Sequence, residues 1–332
     1  MNKNVIVTGA SGFIGGATCI ELKRKGYTVI GIDKKPLPKH LKSFVDRFQQ
    51  CPFTHPFSLR QIDYYEPKAI IHCAGTSLVG PSIKNPEEYY DNNVAETIQY
   101  LAYIRRQPFK TKFIFSSSAA VYGDPQSSIA LTEESKTAPI SPYGESKLMV
   151  EKVLESFHTA YNLQYVALRY FNACGAVKDG LHGQEPGASH IFARIFEAIK
   201  HELPFRVFGN DYSTSDGTCV RDYVHVTDIA NAHVISIEKD IQGIYNIGSD
   251  KGYSNLEILN AVRYWHKHIA SIPLEYADKR PGDPAYLLAD PTKFKNDTGW
   301  IVENSLQNII KDLYDWYNSS NYAERSPAII PL

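Results

Sequence analysis

The chain of 332 residues is long enough for two domains, or for one large domain with a sizeable core. Its formal net charge of −1 provides no basic surplus for binding nucleic acid and no acidic run typical of a disordered tail. Five scattered cysteines without metal-ligand spacing, and no apolar segment long enough to cross a bilayer, predict a reduced, soluble, cytoplasmic protein without a metal site or a membrane partner.

Strand-like and helix-like segments alternate through the first half of the chain. Apolar runs predict strands at 3–8, 27–33, 68–73, 112–117 and 164–169, and periodic patterns predict helices at 13–25, 86–106 and 142–161. This order implies a parallel sheet with helices on both faces, a Rossmann-type doubly wound α/β fold. Four prolines and mixed charge in residues 34–60 predict a loop with one short helix.

The composition of the sequence changes after Asn172. Glycine, proline and polar residues dominate through Ser189, and further helices are predicted at 191–201, 256–268 and 305–317. We therefore predict a first domain at residues 1–171, rejoined by roughly 218–246, and a smaller, interleaved α/β domain formed mainly by residues 172–332.

A glycine-rich turn joins the first predicted strand to the first helix. Gly9, Gly12 and Gly15 permit a tight turn, close approach of a pyrophosphate and close packing of helix against sheet. The helix then begins at Phe13 and Ile14, so that its N-terminus faces the phosphates. This arrangement predicts a dinucleotide site.

Asp33 ends the second predicted strand, 18 residues after Gly15. A carboxylate at this place binds both ribose hydroxyls and repels a 2′-phosphate, which favours NAD over NADP. Lys34 and Lys35 follow directly and act against that preference.

Tyr143 and Lys147 lie four residues apart in the predicted helix 142–161, so they share one face of it. A phenol with an ordinary pKa of about 10 is a poor base at neutral pH, but a nearby ammonium favours its anionic form. Lowering that pKa to about 7 requires roughly 4 kcal/mol of differential stabilisation. The pair predicts a tyrosinate that takes a proton from a sugar or alcohol hydroxyl.

The glycine spacing, Ser118 after the strand 112–117, and Tyr143-x-x-x-Lys147 together resemble the signature of the extended short-chain dehydrogenase/reductases. Longer strings are similar to those of UDP-glucose (UDP-galactose) 4-epimerases, and the similarity covers about residues 3 to 317. These strings are YYDNNV (89–94), FSSSAAVYGD (115–124), SPYGESKLMVE (141–151), LRYFN (168–172), FGNDYSTSDGTCVRDYVH (208–225) and RPGDPA (280–285).

The resemblance implies inversion at C4 of a UDP-hexose. Tyr143 takes the proton of the sugar 4-hydroxyl while NAD accepts the hydride from C4. Lys147 lowers the pKa of the tyrosine and holds the nicotinamide ribose, and Ser118 hydrogen-bonds the 4-oxygen. The 4-keto sugar rotates, and the hydride returns to its opposite face. Further cofactor contacts implied by the resemblance are Ala74, Gly75, Asn92, Ser116, Tyr170 and Phe171.

The uridine diphosphate side of the site is implied in the same way. Arg221 and Arg280 neutralise phosphates, for which guanidinium geometry is suited. The other substrate contacts implied by the resemblance are Asn172, His190, Ile191, Arg206, Val207, Phe208, Tyr223 and Asp283.

Four positions depart from the family pattern. Pro52-Phe53 replaces an Asp-Ile pair at the adenine edge, and Ser77 replaces a lysine at the cofactor phosphates. We therefore expect weaker and exchangeable NAD binding. His190-Ile191 replaces an Asn-Leu pair beside uracil. Leu287 occupies the position that controls room for a 2-N-acetyl group, and its intermediate bulk neither excludes nor requires N-acetylated sugars.

Alternative functions are a UDP-N-acetylhexosamine or UDP-pentose 4-epimerase and, less favoured, another nucleotide-sugar enzyme of the superfamily or a non-catalytic cofactor-bound protein. A 4,6-dehydratase is disfavoured, because Ala119-Ala120 stands where those enzymes carry an Asp-Glu acid and base. The resemblance also implies a homodimer that pairs helices 86–106 and 142–161. Apolar stripes suited to such pairing are Tyr90, Val94, Ile98 and Leu101 on the first helix, and Met149, Val153 and Phe157 on the second.

Overall fold

The structure, a computed structural model, describes residues 2–265, 273–280 and 283–325. A seven-stranded parallel sheet lies at its centre. Its strands are β1 (Asn4–Thr8), β2 (Thr28–Asp33), β3 (Arg47–Gln50), β4 (Ala69–His72), β5 (Lys112–Ser118), β6 (Tyr165–Tyr170) and β10 (Gly243–Ile247). The order β10-β6-β5-β4-β1-β2-β3 is that of a doubly wound sheet, which confirms the predicted fold class.

Helices cover both faces of this sheet, which is why its central strands are apolar throughout. Val5, Ile6 and Val7 have no exposed surface. The two faces separate into two clusters of buried side chains. The helices of this half are α1 (Phe13–Arg24), α2 (Pro56–Tyr65), α3 (Val79–Lys84), α4 (Pro86–Tyr89), α5 (Glu96–Ile104), α6 (Pro142–Tyr161) and α8 (Val226–Glu238).

The strand order reverses between β1 and β4. The chain proceeds from β1 outward to β2 and β3, then crosses back to β4 and continues to β5 on the other side. A crevice therefore opens at the carboxyl ends of β1 and β4, where ligands bind in open α/β sheets.

A second, smaller group of strands surrounds β9 (Val220–His225). It pairs with β7 (Asn172–Cys174), β11 (Gly252–Ser254) and β13 (Tyr286–Leu287), and a separate pair joins β8 (Phe205–Phe208) to β12 (Leu274–Ala277). Packed around them are α7 (Ile191–Lys200), α9 (Asn255–Trp265), α11 (Leu306–Tyr317) and α12 (Ser320–Arg325), while α10 (Thr292–Thr298) packs beneath β10. The predicted end of α9 at His268 lies outside the described residues.

Residues 34–60 hold more regular structure than predicted. They contain a 3₁₀ helix (Lys39–Phe44), the strand β3 and the first turn of α2. The sequence of β3, RFQQ, has no apolar alternation because it forms the edge of the sheet and pairs only with β2. The prediction of a loop with one short helix was therefore wrong for this strand.

The helix predicted at 86–106 is not uniform. Between α4 and α5 the chain forms a π-helical turn over Tyr90–Ala95, and α5 ends at Ile104. Asn85 does not cap α4 with its side chain. Its Nδ2 instead donates to Glu88 Oε2 at 2.9 Å. The widened turn buries Asn93, which is only 3% exposed.

A buried ion pair attaches α6 to the sheet. Glu151 accepts from Arg169 Nε at 2.9 Å and from Arg169 Nη2 at 2.7 Å, and its Oε1 also accepts from Ser117 Oγ. Because all these groups are shielded from water, removing one partner of such a pair costs about 3–5 kcal/mol. The contact fixes α6 against β5 and β6 one turn after Lys147.

No helix among the described residues is long and apolar enough to cross a membrane.

Candidate active site

The glycine turn after β1 brings two backbone segments into contact at the crevice. Gly9 has φ +72°, and a Cβ there would lie 2.7 Å from the backbone nitrogen of Ala74, in the segment after β4. A Cβ on Gly15 would collide with the carbonyl of Gly9. Only glycine fits these two positions, and the cradle they form at the N-terminus of α1 suits a pyrophosphate.

Asp33 lies where the sequence places it, at the end of β2. Its Oδ2 accepts from the backbone N–H of Ser11 at 2.9 Å, and its Oδ1 accepts from Lys35 N–H at 2.9 Å. A carboxylate offers about four acceptor positions, so both oxygens can still accept from ribose hydroxyls.

The two lysines after Asp33 are both engaged by carboxylates. Lys34 Nζ lies 3.8 Å from Glu96 Oε1, and Lys35 Nζ lies 3.1 Å from Glu185 Oε2. This pairing lessens the positive charge available to a 2′-phosphate, and so supports the preference for NAD that Asp33 indicates.

Ser118, Tyr143 and Lys147 converge beside the crevice. Ser118 ends β5 and accepts from the backbone N–H of Ala120 at 3.2 Å. The helix α6 begins at Pro142 because Ser141 Oγ caps it by accepting from Gly144 N–H, and this start directs Tyr143 toward Ser118, to which it is hydrogen-bonded. Lys147 Nζ lies 5.9 Å from the centre of the Tyr143 ring.

The expected lowering of the pKa of Tyr143 by Lys147 is not found. Burial raises the pKa of the Tyr143 phenol, and the hydrogen bond with Ser118 opposes that rise only in part. Burial also lowers the pKa of Lys147 to about 8, because the residue is only 5% exposed and its ammonium lies 4.8 Å above the Phe115 ring. The protein alone therefore does not prepare a tyrosinate.

Asn93 connects the catalytic helix to the crevice, and the sequence interpretation missed it. Its Oδ1 accepts from Thr76 N–H at 2.8 Å, and its Nδ2 donates to Thr76 O at 3.0 Å and to Ser146 Oγ at 3.0 Å. Ser146 in turn donates to the carbonyl of Tyr143 at 2.7 Å. The Asn-Asn pair at 92–93 indicates a buried asparagine here, but only the π-helical turn decides which of the two points inward.

Asn92, predicted as a cofactor contact, lies on the outer side of the same turn. It accepts from Lys34 Nζ at 2.9 Å and donates to Thr76 Oγ1 at 3.2 Å. Gly75 lies between Asn93 and Lys147, since a Cβ there would stand 2.8 Å from Asn93 Oδ1 and 3.7 Å from Lys147 Nζ. The predicted contacts Ala74, Gly75 and Asn92 are thus brought together with Lys147.

Ser116 and Tyr170 belong to a buried hydrogen-bonded chain. The Tyr170 hydroxyl contacts Ser116 Oγ at 3.2 Å and is bonded to His233 Nε2, and the other ring nitrogen of His233 lies 2.8 Å from Thr18 Oγ1. Phe171 is 6% exposed and packs in a small buried cluster that includes Ala119 and Val121. These three predicted contacts therefore have little surface open to a ligand.

The predicted substrate residues divide into two groups. Arg221 is 7% exposed and forms an ion pair with Asp283, whereas Arg280 is exposed and lies 4.0 Å above the Phe208 ring. Asn172 donates to the carbonyl of Asp222 at 2.9 Å. Tyr170 pairs with Ser118 between β6 and β5, so Asn172 lies two residues beyond that pairing.

The second group contains two buried residues, one exposed arginine and the two residues at the start of α7. Val207 is 1% exposed and Tyr223 is 5% exposed, and Tyr223 packs its ring against Phe192 in the core. Arg206 is exposed and its Nη2 lies 3.2 Å from Glu275. His190 and Ile191 form the start of α7. The side chains of Val207 and Tyr223 are therefore packing residues in this structure, and only their backbone can face a ligand.

Residues 5–248 match the model of the NAD dependent epimerase/dehydratase family. The chain belongs to that family. A UDP-glucose 4-epimerase of Halalkalibacterium halodurans is 38% identical, with 94% of this chain and 95% of the relative covered. The predicted family resemblance and the NAD cofactor are confirmed.

Solved structures of this epimerase family share the fold. A UDP-glucose-4-epimerase from Stenotrophomonas maltophila with bound NAD and formylated UDP-arabinopyranose has a TM-score of 0.89 at 31% identity, covering 95% of this chain and 97% of that one. A UDP-glucose 4-epimerase from Bifidobacterium longum in complex with NAD+ and UDP has a TM-score of 0.88 at 35% identity, covering 96% and 99%.

The lowered pKa of Lys147 has a measurable consequence for stability. The folded, NAD-free protein loses the Lys147 proton near pH 8, whereas the unfolded chain holds it to about 10.5, so the stability of the wild type rises with pH between these values. Lys147→Met removes the buried charge. We expect it to be more stable than wild type at pH 7, by on the order of 3 kcal/mol, with the advantage shrinking from pH 8 to 10.5.

Urea unfolding of the NAD-free proteins at several pH values measures this difference. The exposed Lys152 of the same helix provides the matched control, and Lys152→Met should show no such pH-dependent gain. A stability difference for Lys147→Met that stays constant across this pH range would contradict the lowered pKa.

Proposed function

We propose that the protein is an NAD-dependent 4-epimerase of UDP-hexoses that interconverts UDP-glucose and UDP-galactose. The observation that carries the proposal is the convergence of Ser118, Tyr143 and Lys147 beside the glycine turn of the dinucleotide crevice. Family membership and the UDP-glucose 4-epimerases among the relatives support it. Ala119 and Ala120, which directly follow Ser118 at the end of β5, provide no further acid or base.

The side chains of this site perform proton transfer and positioning. Ser118 hydrogen-bonds the sugar 4-oxygen and is already bonded to Tyr143, so a proton can pass from the 4-hydroxyl to the tyrosine hydroxyl oxygen. Lys147 holds its ammonium beside this pair. When the hydride returns to the other face of the 4-keto sugar, Tyr143 returns the proton, and C4 is inverted.

NAD, when bound, accepts a hydride from the sugar carbon and gives it back, so that no net oxidation occurs. Gly9, Gly12 and Gly15 with the start of α1 would hold its diphosphate, and Asp33 its adenosine ribose. A cationic ring bound beside Tyr143 would favour its phenolate, which burial disfavours in the protein alone.

The diphosphate of the substrate fits the arginines in front of the site. In this structure Arg221 is paired with Asp283. We propose that the substrate diphosphate takes the place of that carboxylate on Arg221, and that the freed Asp283 accepts from the ribose of uridine. Arg280 covers the nucleotide from the side of Phe208.

The catalytic proposal is tested with UDP-galactose and a Tyr143→Phe variant. Wild type should form UDP-glucose, resolved by chromatography, whereas Tyr143→Phe should lose about 10²–10⁴-fold in kcat because general base catalysis contributes that much. Tyr161→Phe, an exposed tyrosine at the end of the same helix, is the matched control and should keep its rate. No conversion by wild type would refute the epimerase, and a near-normal Tyr143→Phe rate would refute the mechanism.

Leu287 stands where it can limit the size of the sugar. It lies on β13 beside Arg221 and packs on the cluster that contains Ala119 and Phe171. We expect Leu287→Tyr to lower kcat/KM for UDP-N-acetylgalactosamine by about tenfold or more relative to UDP-galactose, because the added ring removes room for the N-acetyl group. Leu287→Met conserves volume and should preserve the ratio. Equal ratios in all three proteins would show that this position does not select the sugar.

We further propose a homodimer formed by the outer faces of α5 and α6. Ile98 and Met149 are both 37% exposed and lie on these faces, with Val153 and Phe157 half-buried beside them. Leu101 was predicted to join this stripe but has no exposed surface, so it serves the core of its own chain.

The dimer is tested by light scattering after gel filtration. Wild type should have about twice the mass of 37.4 kDa, and the double variant Ile98→Glu with Met149→Glu should have the single mass, because two charges per chain would be buried unpaired. Leu203→Glu, an exposed leucine after α7, should leave the dimer intact. A wild-type mass near 37.4 kDa would overturn the proposal.

Two further proposals concern the division into domains and the cellular location. The division into a cofactor domain (1–171 with roughly 218–246) and a substrate domain (mainly 172–332) fits the separate buried cluster to which α7, β8, α9 and α11 contribute. A cytoplasmic location fits five cysteines that are all free thiols in the described structure.

A further inference from the structure

Lys34, Asn92 and Glu96 form a polar cluster at the outer end of the crevice. Lys34 directly follows Asp33, and its Nζ lies 2.9 Å from Asn92 Oδ1 and 3.8 Å from Glu96 Oε1. One lysine therefore connects the end of β2 to the segment where the π-helical turn passes into α5. This cluster lies beyond the catalytic residues, on the side of the adenosine ribose site at Asp33.

The second carboxylate oxygen of Glu96 has no partner. Oε2 is shielded from solvent and makes no hydrogen bond with any described residue. A carboxylate oxygen buried in this way is unfavourable unless a donor reaches it. Oε1 is held by Lys34, so the carboxylate is oriented and its free oxygen is available to a ligand.

The adenosine end of a dinucleotide provides a donor that fits this oxygen. Asp33 already offers acceptors to the ribose hydroxyls, which leaves the exocyclic amino group of adenine as the remaining strong donor of that half. One turn after Glu96, Tyr100 packs against Phe53 at 5.2 Å between ring centres, so the base of α5 adjoins the segment that follows β3. In that segment Pro52 provides neither a carboxylate nor an N–H group.

We propose that Glu96 binds the adenine base of the cofactor, its Oε2 accepting a hydrogen bond from the 6-amino group while Lys34 holds Oε1. The inference rests on the proposed NAD-dependent function and deepens it. It assigns to α5 the recognition of the base that the segment after β3 does not supply. It also assigns Lys34 to the positioning of Glu96 and not to a 2′-phosphate.

The test compares two dinucleotides that differ at the base. NAD carries the 6-amino donor, whereas nicotinamide hypoxanthine dinucleotide carries a carbonyl acceptor in its place. Dissociation constants for both are measured by isothermal titration calorimetry on NAD-free wild type, Glu96→Gln and Glu96→Ala. Thermal unfolding of each variant checks that it is folded. This readout does not depend on turnover.

Wild type should bind NAD at least tenfold more tightly than the hypoxanthine analogue. In the complex with the analogue, the charge-assisted hydrogen bond to Glu96 is lost, and the carbonyl oxygen of the base faces the carboxylate oxygen. Glu96→Gln keeps the shape but adds an amide donor, so it should bind the analogue at least as well as NAD. Glu96→Ala should bind both weakly and with little preference.

Two further variants separate the roles. Glu87→Gln makes the same change at an exposed glutamate of α4 and should behave as wild type. Lys34→Met should weaken NAD binding severalfold yet keep NAD the preferred ligand, because the carboxylate remains but loses its support.

The proposal is overturned if Glu96→Gln retains the wild-type preference for NAD, or if wild type binds both dinucleotides equally. In either case NAD binding by wild type would leave the proposed epimerase function standing. If wild type bound neither dinucleotide, both the inference and the cofactor-dependent function would fall.

Discussion

The close approach of two backbone segments at the switch point of the sheet is the constraint on which the site depends. Gly9 turns so near the start of the segment after β4 that a Cβ would meet the nitrogen of Ala74. This contact brings together the phosphate cradle at the start of α1 and the loop that carries Gly75 and Thr76. The same loop adjoins Asn93 and Lys147 through Gly75, so the contact also sets the distance from the cradle to the start of α6.

The catalytic helix is tied to this point by polar contacts that are largely shielded from water. Asn93 links Thr76 to Ser146, and the Glu151–Arg169 pair fastens the next turn of α6 to the sheet. These bonds hold Lys147 in a place where its charge is disfavoured, as its lowered pKa shows. The structure thus keeps an unfavourable charge near Tyr143, which fits the role proposed for Lys147 beside that phenol.

Much of the fold and of the catalytic centre could be read from local patterns. The apolar runs of β1, β4 and β5 appear in the sequence because both faces of a parallel sheet are buried. The glycine turn at Gly9–Gly15, between a strand and a helix, is typical of a dinucleotide site. The edge strand β3 could not be read, because one exposed side allows it the polar sequence RFQQ. Asn93 was passed over in favour of Asn92, since a π-helical turn is not visible in a helical repeat.

The sequence by itself determined the fold class, the family and the type of cofactor, and it supplied the candidate catalytic residues, because each depends on residue types at short, regular spacings. The tertiary structure decided the electrostatics and the partners of those residues. The pKa of Tyr143 is raised where the spacing with Lys147 predicts that it is lowered. Lys34 meets Glu96, and Arg221 meets Asp283, across 62 residues of chain in each case. Burial and such long-range contacts arise only when distant segments pack, and no local pattern records them.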